Sequence, residues 1–283
     1  MELDNLINIY KKKFKAIGIK NPLSEIRFLL AEMAELPLSF QIMNKNFILN
    51  KTKECFIKKS LDRRLKKEPL DRIINKKVFR DFEISLSPDT FSPRHETELL
   101  IDIIISLNLK PNNILELGTG SGAVIIALAK TFLSANCVAS DINHNSLKLA
   151  KKNAQNNRVT DQINFICCNW LDIFVNSDFD LIIANPPYIR TEVIDTLEPE
   201  VKFYDPIIAL DGGKTGLDCY KEIILGLKNK LKDKTVVVFE IGFDQALNVT
   251  KLMKEANIMQ TKTFYDYANH PRFIVGTNNT NIF

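Results

Sequence analysis

The 283-residue sequence has no apolar run of the ~18 to 20 residues that a membrane-spanning helix requires. Its first residues include the acidic Glu2 and Asp4, and they do not follow the pattern of a secretory signal peptide. Apolar residues make up 45% of the chain, enough to bury the core of one large domain or two ordinary ones. We therefore expect a folded cytoplasmic protein that does not bind membranes.

Cysteine and histidine are also scarce. The 5 cysteines are odd in number and none are spaced as C-x-x-C, and the 3 histidines are scattered along the chain. This pattern indicates neither a disulfide framework nor a zinc site. We expect buried free thiols and no bound metal.

The net charge is small but unevenly distributed. Residues 1–70 hold 15 Lys and Arg against 8 Asp and Glu, a net charge of +7, whereas the whole chain has a net charge of +4. The front of the chain is therefore basic and the remainder is slightly acidic. Two interpretations stay open: a module that docks an acidic or ribonucleoprotein surface, or a solvated lysine-rich helix face.

The first part of the chain has the apolar spacing of helices. Apolar residues recur every three or four positions from Leu3 to Ile17, and a similar spacing runs from Thr52 to Lys67. Asn21-Pro22 is a typical helix start between them, with the asparagine as cap. We predict a small helical bundle over residues 1–67, separate from the rest.

The remainder of the chain is predicted to be a hairpin linker followed by an α/β domain. Short β-like runs over residues 68–92 indicate the hairpin. Residues 93–283 alternate between short buried strands and longer helical segments, which is typical of a parallel sheet covered on both faces. The predicted strands are Ile114–Leu117, Cys137–Ser140, Ile163–Cys167, Phe179–Ala184, Val236–Glu240, Lys262–Tyr265 and Arg272–Val275. The last two form an antiparallel edge pair of this seven-stranded, mostly parallel sheet.

A glycine-rich loop joins the first predicted strand of this sheet to a helix. Glycines let the backbone turn sharply and approach a ligand closely, and the amides at the helix start face that ligand. Gly118, Gly120 and Gly122 do not match the dinucleotide pattern, whose third glycine comes one place later, or the phosphate-loop pattern, which ends in Lys-Ser/Thr. The spacing therefore disfavours NAD and ATP.

Two acidic residues lie near this loop. Asp141 ends the second strand, where an acid can bind both ribose hydroxyls of a nucleoside, although an acid there also commonly caps a helix. Glu116 adds a carboxylate at the loop itself. S-adenosylmethionine carries an ammonium and a sulfonium group but no phosphate, so we predict it as the cofactor, with S-adenosylhomocysteine as the product. The predicted contacts here are Glu116, Gly118, Thr119, Gly120, Gly122 and Asp141.

Asn169 and Trp170 follow the third strand, where a class I methyltransferase usually contacts adenine. The Asn169 side-chain oxygen can accept from the adenine amino group, and Trp170 can form a wall of the site. A buried structural tryptophan is the alternative interpretation.

The segment Asn185-Pro186-Pro187-Tyr188 directly follows the fourth strand. Two prolines cannot continue a strand, so the chain turns there at the carboxyl edge of the sheet, where ligands bind. Methyl transfer to an amide or aromatic amine nitrogen requires drawing a planar nitrogen towards a tetrahedral form, which two fixed acceptors on its hydrogens can do. We predict the Asn185 side-chain oxygen and the Pro186 carbonyl as these acceptors, with Tyr188 beside them as a third catalytic residue and Asn185 also near the cofactor. The alternative is a strand-ending turn without a role.

On these residues the chain resembles the PrmC/HemK family of peptide chain release factor glutamine methyltransferases over nearly its whole length. The shared motifs beyond the glycine loop and Asn185–Tyr188 are Glu68–Leu70, Pro93–Glu98, Leu210–Gly213, Gly216–Asp218 and the strand ending in Glu240. The segment Pro93–Glu98 is the most family-specific, and it argues against nucleic-acid enzymes that share Asn-Pro-Pro-Tyr.

The resemblance implies a fold, a substrate and a partner. The fold is that of a class I, Rossmann-like methyltransferase over residues 93–283, behind a helical bundle that docks the substrate. The substrate is the side-chain amide nitrogen of the glutamine in the Gly-Gly-Gln motif of class 1 release factors. The implied substrate-binding residues are Phe91, Asn185, Pro186, Pro187 and Tyr188. We expect a monomer that does not bind nucleic acid directly.

Some positions depart from the family pattern or have two interpretations. The segment Arg72–Lys76 lacks the usual glycine, His95 replaces a proline, and Asn169 replaces an aspartate, which weakens its acceptor strength towards adenine. Arg94, Glu96 and Glu98 support the cofactor loop and the substrate mouth if the resemblance holds, or form an ion-paired structural brace.

Two other functions are compatible with part of the sequence. A methyltransferase acting on adenine or guanine amino groups would need a recognition module and a basic channel with stacking aromatics. The basic front has its aromatics on the apolar stripe instead, and the catalytic part is slightly acidic. A cofactor-binding scaffold without transfer activity would have lost Asn185 or the glycine loop, and both are present.

Overall fold

The computed structural model describes residues 1–174, 178–228 and 231–283. The helices are α1 Leu3–Ala16, α2 Pro22–Ala34, α3 Leu38–Met43, α4 Lys51–Leu65, α5 Leu70–Ile74, α6 His95–Ser106, α7 Ala123–Thr131, α8 His144–Asn156, α9 Thr191–Ile194, α10 Pro199–Lys202, α11 Asp218–Leu227 and α12 Ala246–Glu255. The strands are β1 Lys76–Phe79, β2 Phe82–Ser85, β3 Asn113–Leu117, β4 Asn136–Asp141, β5 Ile163–Cys167, β6 Leu181–Ala184, β7 Val236–Glu240, β8 Gln260–Tyr265 and β9 Pro271–Thr277. Short 3-10 helices cover Thr160–Gln162 and Ile207–Ala209.

The chain divides into two compact units. One comprises Met1–Lys76 with Glu198–Tyr204, and the other comprises Lys77–Leu197 with Asp205–Phe283. In the first unit the apolar stripes of α1, α2 and α4 are buried against one another, as their three-and-four spacing predicts. Within the described ranges, no helix is long and apolar enough to cross a membrane.

The segment expected to begin a hairpin linker instead begins with a helix. Pro69 precedes α5, and Asn75 ends it with a φ of 56°, in the left-handed region. Asparagine tolerates this conformation better than most residues, so Asn75 takes the place of the glycine that the sequence lacks there. The hairpin itself is limited to β1 and β2.

The second unit is built on a seven-stranded sheet with the order β5-β4-β3-β6-β7-β9-β8. The first five strands in this order are parallel, and β9 is antiparallel to both β7 and β8. Every residue of β6 and β7 is buried, which explains why these strands read as continuous apolar runs. The sheet confirms the predicted fold class; the fourth predicted strand begins two residues later, at Leu181, than expected.

The order of the strands contains one switch point, between β3 and β6. The chain runs outward from β3 to β4 and β5, and then returns to the other side of β3 to form β6 and β7. The direction of winding therefore changes between β3 and β6. In sheets of this kind ligands bind at such a switch point, outside the carboxyl ends of the strands. The loops after β3 and β6 are the glycine loop and the segment that begins at Asn185.

Candidate functional site

The glycine loop after β3 has the backbone conformation that its sequence predicts. Gly118, Gly120 and Gly122 all have positive φ, at 71°, 54° and 82°. A Cβ on Gly122 would lie 3.0 Å from the Cβ of Ala150 on α8, so glycine is required there for close packing as well. A Cβ on Gly118 would lie 3.3 Å from the Trp170 ring. Trp170 therefore lies directly against the loop.

The amides of this loop bond mostly within the protein. Thr119 N–H donates to the Ser140 carbonyl at 2.9 Å, and Gly122 N–H donates to the Thr119 carbonyl at 2.8 Å. Gly120 N–H donates to Oδ2 of Asp141 at 2.8 Å. An N–H that already donates inside the fold is not available to a phosphate, so the bonding agrees with the glycine spacing in disfavouring pyrophosphate.

Glu116 is buried beneath the loop. Its Oε2 accepts from the Thr119 hydroxyl at 2.5 Å and from the Ile125 amide at 3.2 Å, which fixes the loop to the first turn of α7. Burial raises the pKa of Glu116 from 4.5 to about 8, against the two hydrogen bonds that lower it. The described contacts of Glu116 are those of a brace for the loop, and its predicted contact with the cofactor stays a prediction.

Asp141 lies at the end of β4 and borders the loop. Its Oδ2 accepts from Gly120 N–H, and its Oδ1 accepts from Asn143 N–H at 2.8 Å. Burial raises the pKa of Asp141 while these two amide donors lower it. The helix cap of α8 is Asn143, not Asp141. A carboxylate has about four acceptor positions, so two amide donors leave capacity for a diol.

Asn169 and Trp170 follow β5 on the same edge. The Asn169 amide nitrogen donates to Oε1 of Glu222 on α11, which leaves its side-chain oxygen as the end that can accept. Trp170 has a φ of 36°, which is uncommon for a residue with a side chain and costs of the order of 1 kcal/mol or more. Its ring is partly buried against the sheet core and the loop, so structural packing and a wall of the site are compatible roles.

The segment after β6 is anchored on several sides. The Asn185 side chain is half-buried and lies beside the carboxylate of Glu240, whose pKa it lowers. The Tyr188 carbonyl accepts from Nε2 of Gln245 at 2.9 Å. Burial raises the pKa of the Tyr188 phenol to about 12, and the nearby Glu240 adds to this effect. Tyr188 is therefore a neutral hydrogen-bonding and packing group at ordinary pH, not a phenolate.

The glycine motif after residue 210 packs directly on this segment. Ile189 N–H donates to the Leu210 carbonyl at 3.0 Å, and Gly212 N–H donates to the Ile189 carbonyl at 2.8 Å. A Cβ on Gly212 would lie 2.7 Å from the Pro187 carbonyl oxygen, and one on Gly216 would lie 2.5 Å from the Tyr188 carbonyl oxygen. Glycine at these two positions therefore lets the backbone pack against Pro187 and Tyr188 more closely than a residue with a side chain could.

A strap before α6 contains the predicted substrate residue Phe91. The Arg94 guanidinium lies 5.0 Å from the centre of the Phe91 ring and bonds Oδ2 of the buried Asp205 at 2.9 Å. Asp205 also accepts from Ser92 N–H at 3.4 Å through its other oxygen. Arg94 is therefore part of an ion-paired brace around Phe91. Glu98 lies 3.5 Å from His95.

Comparisons with known proteins identify the family. A PrmC N-terminal domain model matches residues 5–74, and a methyltransferase small domain model matches residues 87–198. The chain is 34% identical to a release factor glutamine methyltransferase of Agrobacterium fabrum, over 93% of each chain. It is 31% identical to the one of Caulobacter vibrioides, over 95% of this chain and 94% of that one. The chain belongs to the release factor glutamine methyltransferase family. It is therefore a methyltransferase that depends on S-adenosylmethionine, as the resemblance predicted.

The comparisons also match a longer relative and a solved structure of low sequence identity. A bifunctional methyltransferase of Rickettsia bellii is 31% identical over 96% of this chain, which spans 54% of that protein. Among solved structures, the hMettl16 catalytic domain in complex with MAT2A 3'UTR hairpin 1 has a TM-score of 0.59 and 12% identity, over 92% of this chain and 93% of that one. This likeness supports the class I methyltransferase fold alone. The alternative of a nucleic-acid amino-methyltransferase is not favoured by the family assignment.

Several residues that contact the predicted site residues were not predicted from the sequence. Glu222 orients Asn169, Gln245 bonds the Tyr188 carbonyl, and Asp205 joins Ser92 to Arg94. The fully buried Asn153 donates to the carbonyls of Ser121 and Ser85 at 2.8 and 3.0 Å. Each is a polar residue with no motif around it, and its role depends on a partner far along the chain.

Among the described residues, His, Cys, Asp and Glu form no group of three or more that could hold a metal ion. The five cysteines are free. Cys137 is buried as expected, Cys168 and Cys219 are half-buried, and the expectation of buried thiols is wrong for the exposed Cys55 and Cys167.

Proposed function

We propose that this methyltransferase acts on the side-chain amide nitrogen of the glutamine in the Gly-Gly-Gln motif of class 1 peptide chain release factors. The segment Asn185–Tyr188 carries this proposal, because it lies at the switch point of the sheet. Gln245 hydrogen-bonds its backbone, and Gly212 and Gly216 pack closely against it. A side-chain amide and a proline carbonyl held there are acceptors suited to a primary amide. The names of the relatives support glutamine as the residue methylated.

The residues around the glycine loop fit S-adenosylmethionine. Loop amides that already donate within the protein suit a cofactor without phosphates, and Asp141 has acceptor capacity left for ribose hydroxyls. Trp170 against Gly118 offers an apolar wall beside the loop, and Asn169 offers an oxygen to an amino group. When bound, S-adenosylmethionine supplies a methyl group already activated by its sulfonium.

The chain's own residues then position the acceptor. The Asn185 Oδ1 and the Pro186 carbonyl accept hydrogen bonds from the two N–H groups of the glutamine amide, which draws the planar nitrogen towards a tetrahedral form. One of these two hydrogens is lost as a proton to solvent once the nitrogen carries the methyl group. Phe91 and Tyr188 line the space around that amide. Catalysis rests on positioning and charge placement, and no strong base is needed before transfer.

The partner follows from the same assignment. A release factor presents its glutamine on a large protein, so a second contact outside the site is expected. The basic helical bundle over residues 1–67 is proposed as the docking module, joined by residues 68–92 to the catalytic domain over residues 93–283. An enzyme that modifies translation factors would work in the cytoplasm, and we propose that it acts as a monomer.

The test is methyl transfer from labelled S-adenosylmethionine to a purified release factor. The parallel arms are the same factor with its Gly-Gly-Gln glutamine replaced, bulk DNA and bulk RNA. Label on the intact factor alone is the expected result. Label on nucleic acid alone would overturn the proposal in favour of an amino-methyltransferase acting on bases.

A further inference from the structure

Glu240 is a buried carboxyl group that lies beside the proposed acceptor. It ends β7, which pairs with β6 so that Phe239 is opposite Ala184, and Asn185 is the next residue after Ala184. Only 2% of Glu240 is exposed. A carboxylate removed from water in this way destabilises the fold unless it is compensated, so its presence at the end of a catalytic strand calls for a role.

Thr97 and Asn185 are two polar neighbours of Glu240. The Glu240 Oε2 accepts from the Thr97 hydroxyl on α6 at 2.8 Å. The Asn185 side chain also lies beside this carboxylate and favours its ionised form. An ionised carboxylate is stabilised by a donor, so the Nδ2 end of Asn185 faces it. The amide is planar, so Oδ1 is the end that faces away from Glu240.

We propose that Glu240 is the positioning residue that orients the Asn185 amide, so that Oδ1 and not Nδ2 meets the hydrogens of the substrate amide. This inference rests on the proposed function, because it assigns the orientation of the acceptor used there. Without an acceptor on Glu240, the Asn185 amide can rotate by half a turn. Nδ2 would then face the hydrogens of the substrate amide, and two donors cannot form a hydrogen bond with each other.

The same contact makes the acceptor sensitive to protonation. A protonated Glu240 has an O–H that can donate to Oδ1 of Asn185 and so occupy the acceptor. Burial raises the pKa of Glu240 to about 7, whereas Thr97, Arg272 and the Asn185 donor lower it. Turnover is therefore expected to fall as the pH falls through about 7. The groups that face Glu240 are Thr97 and Glu96 from α6, Asn185 and Tyr188 after β6, Arg272 from β9, and Tyr220 from α11, whose hydroxyl bonds the Glu240 carbonyl.

A purely structural role makes different predictions. If Glu240 only stabilised the fold through Thr97, replacing either residue would lower stability and leave the pH profile of turnover unchanged. Thr97→Val is the matched variant, because it removes one donor to Glu240 without touching Asn185. Loss of that donor raises the pKa of Glu240, so the acid limb of the turnover profile should move to higher pH.

The experiment measures kcat and KM on an intact release factor across about pH 5.5 to 9 for the full-length protein. Glu240→Ala should lower kcat on the order of 10²-fold, with little change in the KM for S-adenosylmethionine. Glu240→Gln retains an acceptor that does not titrate, so it should recover part of the activity and lose the acid limb.

Each outcome decides one question. A Glu240→Gln profile with the wild-type acid limb, or a Glu240→Ala variant that folds and keeps full kcat, would overturn the inference. If Glu240→Ala does not fold, Glu240→Gln and Thr97→Val still decide it. Failure of the wild-type protein to methylate the intact factor would instead refute the proposed function, and that result is distinguishable from both.

Discussion

Asn185 is the residue on which the proposed chemistry depends most. Asn185→Ala removes one of two acceptors on the substrate amide, and loss of one such fixed group usually lowers kcat by about 10²- to 10³-fold. Steady-state kinetics on an intact release factor measures this. Asp102→Asn is a matched control, because among the described residues Asp102 pairs with the exposed Arg80, at 2.7 Å, and both kinetic constants should stay near wild type. An Asn185→Ala enzyme with nearly full turnover would contradict the assignment.

Glu116 has a measurable consequence for stability. Its pKa is raised from 4.5 to about 8, so between these values the folded protein holds a proton that the unfolded chain releases. This contribution to stability is present below pH ~4.5 and is lost as the pH rises through about 8. Glu116→Gln cannot ionise, and it should flatten the fall in the urea midpoint over that range. A steeper fall in the variant than in the wild type would contradict this sign.

Among the elements, the turn into α7 is the most constrained. Gly122→Ala combines a φ of 82° with a contact at 3.0 Å to Ala150, whereas Gly18→Ala has a φ of 79° and nothing within 4 Å. The backbone conformation should lower the free energy of unfolding of both variants by about 1 kcal/mol. Only Gly122→Ala must also displace α8, which should lower it by a further ~1 to 3 kcal/mol. Thermal unfolding of the two variants checks the difference. Equal destabilisation would show that packing on α8 is unimportant.

The sequence was informative where one element has one strong pattern. Continuous apolar runs predicted the strands of the sheet, and the glycines predicted a sharp turn in the loop after β3, where all three have positive φ. The short helix α5 was missed because it has only 5 residues and its end depends on Asn75 in a conformation that usually indicates glycine. A pattern of that length cannot separate a helix from a turn.

The sequence predicted the motifs of the candidate site better than the contacts between their residues. Motifs identify residues that precede or follow a strand, but the strand order decides which of them become neighbours. Glu240 and Asn185 are adjacent only because β7 pairs with β6 in one register. Asp205 and Ser92 are 113 positions apart in the chain. Such pairs leave no local periodicity in the sequence.

For the whole molecule, the uneven charge leads to a test of docking. Lys11, Lys12 and Lys15 are exposed on α1, and changing all three to Glu should raise the KM for an intact release factor by about tenfold. The kcat on a short Gly-Gly-Gln peptide should not change. The same three-residue reversal on α8, at Lys148, Lys151 and Lys152, changes the net charge equally and serves as the control. Equal effects of both sets would show that only total charge matters.

The fold does not identify the acceptor, since related sheets with the same architecture occur in enzymes that differ in substrate. The central claim is therefore tested most directly on the product. We would digest a release factor incubated with the enzyme and S-adenosylmethionine, and locate the added methyl group by tandem mass spectrometry. We expect one methyl group on the side-chain nitrogen of the Gly-Gly-Gln glutamine, absent when Asn185→Ala replaces the wild type. A methyl group on another residue, or an unchanged yield with Asn185→Ala, would contradict it.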